Sequence, residues 1–228
     1  MQKNRANLIK LMQQSTNKIL SERKRFYFNR GIEFVIKDSI PDNIDLEKII
    51  GLLRANLPLS AYEGLNNVYF GEFESLEKRK LTAMHHKDNI YIASNELTGE
   101  KDLLDDLVHE FAHRFEENNS EEIYEDGSIA NEFLGKRNRL YDLLRQEVDE
   151  EELNYFDDLL YKKVGYTKLR NLAPTLFIRP YAATSLREYF ATGFEDFYLE
   201  GGEKLRGISP ILYNKILSLQ KNTEFKRS

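Results

Sequence analysis

Cysteine is absent from this chain, and histidine occurs only 4 times in 228 residues. Without cysteine there are no disulfides, no thiolate metal sites and no cysteine nucleophile, so any metal centre has to be built from histidine and carboxylate. The same absence fits a reducing compartment. No stretch approaches 18 uninterrupted apolar residues, and the start, from Met1 to Met12, is basic without the apolar run that a secretory signal needs. The expectation is a soluble, cytoplasmic chain with no membrane partner. Positive charge is not in excess either: the net charge of −5 argues against a general nucleic-acid footprint. The locally basic cluster from Ser21 to Phe26 reads as a solvated helix end. Internal repeats and low-complexity linkers are lacking, and 41% hydrophobic content suffices for a substantial core.

Given so little histidine, His109-Glu-Phe-Ala-His113 is informative. Composition predicts only about 0.01 chance matches to HExxH in a chain of this length. In a helix, residues i and i+4 share a face, so His109 and His113 can hold one Zn²⁺ while Glu110 points at a water bound to it. Glu110 then acts as general base. The segment from Thr98 to Phe115 has helical character, with Thr98 as N-cap, acids in its early turns and an apolar stripe at Leu104, Leu107, Val108, Phe111 and Phe115. At about 100° per residue the two histidines fall opposite that stripe. The plain alternative is a pair of ordinary histidines on a solvated helix face.

Coarse patterning predicts a helix over residues 2–24 and a strand at Ile32–Lys37. A helix from Pro41 to Leu57 follows, then strands at Asn67–Phe73, Leu81–Met84 and Asn89–Ser94. After the HExxH helix the chain reads as helical at Ser128–Val148, Glu151–Lys163, Thr184–Leu199 and Ser209–Leu219, the last opened by Ser209-Pro210. This order predicts an α+β fold of zincin-like architecture, in which a sheet backs the metal-binding helix and an edge strand can pair with an extended peptide. The implied organisation is an N-terminal helical extension, 1–25, and one domain, 26–228. Its sheet-containing lobe covers 26–97 and its helical lobe 98–228.

Two histidines leave a zinc site one protein ligand short. Glu132 is one candidate: 18 residues separate it from His113, an interval like that of a class of zinc aminopeptidases, and Asn131 precedes it as in the Asn-Glu pair of thermolysin-like sites. Lys136 stands where those sites carry an acid, and an i,i+4 Glu132–Lys136 pair also accounts for the residue. Glu188 is the other, although Ser185-x-x-Glu188 is equally a capping box. The segment Glu188-Tyr-Phe-Ala-Thr-Gly-Phe194, together with HExxH, resembles the anthrax lethal-factor-like peptidases, which include the Pro-Pro endopeptidases. Matching positions are Glu188, Phe190, Ala191 and Phe194, and the segment from Leu205 to Tyr213 is also similar. The resemblance covers about residues 89–219. It implies a zinc metalloendopeptidase acting on protein or peptide substrates, with His109, His113 and Glu188 as ligands and Glu110 as base. Tyr181, seven residues before Glu188, would donate a hydrogen bond to the scissile carbonyl oxygen. The chain departs from the family in a longer interval between His113 and Glu188, with helical sequence inserted around Ile129–Lys163. A reading from another class is a catalytically silent, metallopeptidase-like binding module in a toxin- or phage-associated setting. His85-His86 reads as a solvated loop or strand end, and the acidic run Glu147–Glu152 as a helix boundary.

Overall fold

The computed structural model of the chain describes residues 25–27, 31–145, 160 and 176–225. The helices expected over residues 2–24 and from Glu151 to Lys163 lie outside them, Leu160 excepted. The described residues form an α+β structure in two compact units. One comprises the residues up to Ile50 and Leu65–Leu103, the other Gly51–Gly64 and the residues from Leu104 onward. The division therefore falls inside the HExxH helix rather than before it, and residues 51–64 belong with the helical unit.

A five-stranded mixed sheet organises the first unit. Its strands are β1 (Arg25–Tyr27), β2 (Glu33–Ile36), β3 (Asn67–Gly71), β4 (Ala83–His86) and β5 (Asn89–Ala93), in the order β1-β2-β3-β5-β4. β2, β3 and β5 run parallel; β1 and β4 are antiparallel edges. At Arg25 and Phe26, the described part of the basic cluster, β1 corrects the expectation of a solvated helix end, because these residues pair with Val35 and Phe34; residues 21–24 lie outside the described residues. A three-residue strand is too short for alternation to show. Register aligns Phe34, Val68 and Ile90, then Ile36, Phe70 and Ile92, so one face is apolar and buried. Each such side chain contributes about 1.5–3 kcal/mol relative to exposure. The other face is half-buried and carries cross-strand pairs: Asn67 donates to Asn89 at 2.9 Å, and Tyr69 stacks on Tyr91 with centroids 5.4 Å apart. His85 and His86 end β4.

Helix α1 (Leu46–Asn56) starts later than Pro41, because the side chain of Asp45 accepts the Lys48 N–H and caps it there. The short helix α2 (Glu74–Arg79) follows β3. Helix α3 (Glu100–Asn118) carries HExxH. Thr98 sits one residue too early to be its N-cap; its hydroxyl bonds instead to the Asp102 carboxylate. Among the described residues, no helix is long and apolar enough to cross a membrane.

The second unit also holds α4 (Ser120–Tyr124), α5 (Ser128–Leu144), α6 (Leu186–Leu199), α7 (Glu203–Ile208) and α8 (Pro210–Phe225). Its core joins α3 to α6 through Phe115, which stacks on Phe190 at 6.4 Å and meets Phe194 at 5.3 Å. All three rings are at most 2% exposed. α6 and α8 approach so closely that a Cβ on Gly193 would lie 2.4 Å from Leu212 Cδ2. α5 braces this arrangement with two polar side chains. Glu132 accepts the N–H groups of Ile211 (3.2 Å) and Leu212 (3.1 Å) and the Tyr189 hydroxyl (2.8 Å). Pro210 has no N–H to offer, so the first two free donors of α8 are those that Glu132 receives. The expected Glu132–Lys136 pair does not form. Lys136 is buried, which lowers its pKa, and it donates to the carbonyls of Leu176 (2.9 Å) and Ile208 (2.6 Å), the latter at the C-terminal end of α7.

Glu132→Ala strands two helix N–H groups and a tyrosine hydroxyl, a cost of about 1–3 kcal/mol. Thermal unfolding followed by circular dichroism is expected to fall by roughly 3–10 °C for a chain of this size. An unchanged midpoint would show that Glu132 does not cap α8.

Candidate metal centre

The HExxH helix is buried on nearly every side. Leu103, Leu107, Val108, Phe111, Ala112 and Phe115 are fully or almost fully buried, and so are Glu110, His113 and Glu116, so the histidine face is not the solvated one of the plain alternative. The stripe begins at Leu103, with Leu104 only half-buried. What covers the polar face is α6, whose register follows from its own capping. Ser185 accepts the Glu188 N–H at 3.1 Å, the first half of a capping box. The Glu188 side chain does not complete the box but turns to the histidines. Its Oε2 lies 2.8 Å from His109 Nε2, and its Oε1 lies 3.6 Å from His113 Nε2.

One ligating atom from each of His109, His113 and Glu188 falls within 4.8 Å of the other two. The two imidazoles stand nearly perpendicular, 4.6 Å apart between centroids. Tyr181 lies in the 3₁₀ turn Pro180–Ala183, which leads into α6, and its ring is 5.9 Å from that of His109. Glu132 is not in this group: its carboxylate is held at the start of α8. Compared with family models, curated proteins and solved structures, the chain matches none. The site therefore stands on its geometry.

Further side chains surround the cluster. The imidazole of His109 is bonded on its far side, with Nδ1 2.5 Å from Glu195 Oε1. Arg179 Nη1 donates to Glu195 Oε2 at 2.6 Å, and Arg179 Nη2 reaches Asp105 Oδ2 at 3.5 Å. Beside His113, Arg187 Nε lies 3.0 Å from Nδ1, while Glu116 Oε2 lies 3.7 Å away, longer than a hydrogen bond. That oxygen is buried and makes no hydrogen bond; the other oxygen of Glu116 accepts the Tyr124 hydroxyl. Glu195 and Glu116 carry sequence signals that only the fold makes readable: Glu195 is two turns beyond Glu188 on one helical face, and Glu116 is three residues after His113. Arg179 precedes α6 in irregular chain and carries no such signal.

Burial pushes the His109 imidazole towards neutrality, but hydrogen bonds to Glu188 and Glu195 outweigh it and raise its pKa to about 10. His113 is likewise raised, as the carboxylates of Glu116 and Glu188 overcome the effect of burial. Burial pushes Glu188 up, and the two imidazoles bring it down to about 2. Four carboxylates, those of Glu110, Glu116, Glu188 and Glu195, thus surround two imidazoles; proton-bearing rings together with Arg179 and Arg187 balance them, and a divalent cation at the ring nitrogens would replace the ring protons in that balance. Two imidazoles and one carboxylate are a donor set that suits zinc.

Purified protein reconstituted with Zn²⁺ and freed of excess is expected to hold one ion per chain by elemental mass spectrometry. His109→Ala, His113→Ala and Glu188→Ala should each lose it, whereas Glu132→Ala should retain it. Loss in Glu132→Ala at preserved fold would transfer the third-ligand role to that residue.

Proposed function

We propose that the chain is a zinc-dependent metalloendopeptidase with a zincin-like site, similar to the lethal-factor-like peptidases. The observation that carries this reading is the convergence of His109, His113 and Glu188, brought from two helices far apart in sequence to within 4.8 Å of one another. Motif residues around Glu188 support it in physical terms. Phe190 and Phe194 contact Phe115 on the HExxH helix, and that packing sets the register in which Glu188 meets the histidines.

Zinc bound by these three residues would lower the pKa of a coordinated water and polarise the scissile carbonyl. Glu110 lies between the two histidines in sequence, is 7% exposed, and its charge acts on both imidazoles. Its role is to take the proton from the attacking water and pass it to the leaving amine, so that the peptide bond breaks into a carboxylate and an ammonium. The Tyr181 hydroxyl would donate a hydrogen bond to the carbonyl oxygen as negative charge builds on it. A protein or peptide is the substrate class that follows.

Cleavage of a quenched fluorescent peptide library tests this reading. Wild-type protein should cleave in a chelator-sensitive manner, and Glu110→Gln should abolish turnover while keeping the metal. Tyr181→Phe should keep the metal and lose about 10²–10³ in kcat, the usual cost of one oxyanion donor. No cleavage by zinc-loaded wild type across the library would favour the silent binding module.

A further inference from the structure

We propose that Glu195, clamped by Arg179, positions His109 for metal binding and sets how tightly the ion is held; the proposal rests on reading the cluster as a metal centre. An imidazole can carry its proton on either nitrogen, and only the bare nitrogen can ligate a cation. Beside His109 both nitrogens face carboxylates, Nε2 facing Glu188 at 2.8 Å and Nδ1 facing Glu195 at 2.5 Å. Were Glu195 missing, Glu188 would remain as the acceptor for the ring proton, which would then block the nitrogen that faces His113 and the shared centre. With Glu195 present, Nδ1–H has a carboxylate acceptor on the far side, so the ring stays anchored and oriented when Nε2 gives up its proton to a cation at the cluster.

The geometry gives Glu195 the rigidity this task requires. Its side chain is 3% exposed, and both oxygens are committed, Oε1 to His109 and Oε2 to Arg179 at 2.6 Å. Arg179 is itself steadied by Asp105 at 3.5 Å, a residue one turn before His109 on α3. A path of contacts thus runs from α3 through Arg179 and Glu195 on α6 and back to the imidazole on α3. His113 lacks an equivalent: its Nδ1 meets the donor Arg187 at 3.0 Å, and the nearest oxygen of Glu116 is 3.7 Å away. His109 is therefore the pre-oriented ligand of the pair.

Zinc dissociation constants measured by competition with a fluorescent chelator test this, alongside far-UV circular dichroism and melting of the metal-free full chain. Glu195→Ala is expected to weaken zinc about 10–100-fold, the usual range for loss of a carboxylate behind a metal-binding histidine. Glu195→Gln keeps an oxygen for Nδ1–H but sets an amide N–H against Arg179, so a loss of roughly threefold to tenfold is expected. Arg179→Met should lose roughly threefold or more by freeing Glu195 to rotate. A purely structural role would lower the melting temperature of the metal-free variants and leave affinity within about twofold of wild type, which overturns the proposal. If Glu195→Ala does not fold, Glu195→Gln and Arg179→Met decide by the same criterion. Wild-type protein that binds no zinc overturns the metal centre itself, a result distinct from equal affinity across all variants.

Discussion

The seating of α6 on α3 is the constraint from which the candidate site follows. Phe115, Phe190 and Phe194 are nearly or fully buried, and each contributes about 1.5–3 kcal/mol by leaving water. That apolar contact works against an electrostatic cost, since the same two helices bring four carboxylates to two imidazoles in an enclosed space. Buried charge is costly unless it is paired, and the available pairings here are with the histidines, Arg179 and Arg187. Hydrophobic packing holds in place an arrangement that the polar residues would not choose on their own.

Much of the site was legible in the sequence because its signals are local. HExxH fixes two side chains by the pitch of one helix, whereas Glu188 and Tyr181 entered through the resemblance to the lethal-factor-like peptidases; Ser185-x-x-Glu188 alone reads equally as a capping box. The side chains behind them were not legible, because their partners are far apart along the chain: His109 meets Glu195 across 86 residues, and Arg179 comes from irregular chain. In the fold, the strands at Glu33–Ile36, Asn67–Gly71 and Asn89–Ala93 were readable from alternation. β1 was missed for want of length. Helix starts moved wherever an unrecognised cap took over, as Asp45 does for α1.

Glu132 shows how one residue type can fit two patterns. Its spacing from His113 suits a metal ligand, yet its carboxylate answers the unpaired N–H groups at the start of α8. A proline at the first position of a helix saves one donor, but the next two still need acceptors, and nothing in the local sequence of α8 names them. Lys136, one turn later, meets the opposite need at the end of α7. The sequence between His113 and Glu188 that looked like an insertion is, in its α5 portion, part of the frame of the helical unit.

Glu188 and Glu195 stand seven residues apart on α6, about 10.5 Å along its axis and within about 20° of the same azimuth. The His109 ring bridges them, one nitrogen to each. α6 therefore acts as a ruler, and what it fixes is a distance and an angle more than a pair of side chains. A single residue inserted or deleted between the two acids would swing one of them by about 100° and shift it by about 1.5 Å, leaving the imidazole held from one side only. Between these two positions the chain can change identity wherever packing allows, but its length is not free to drift.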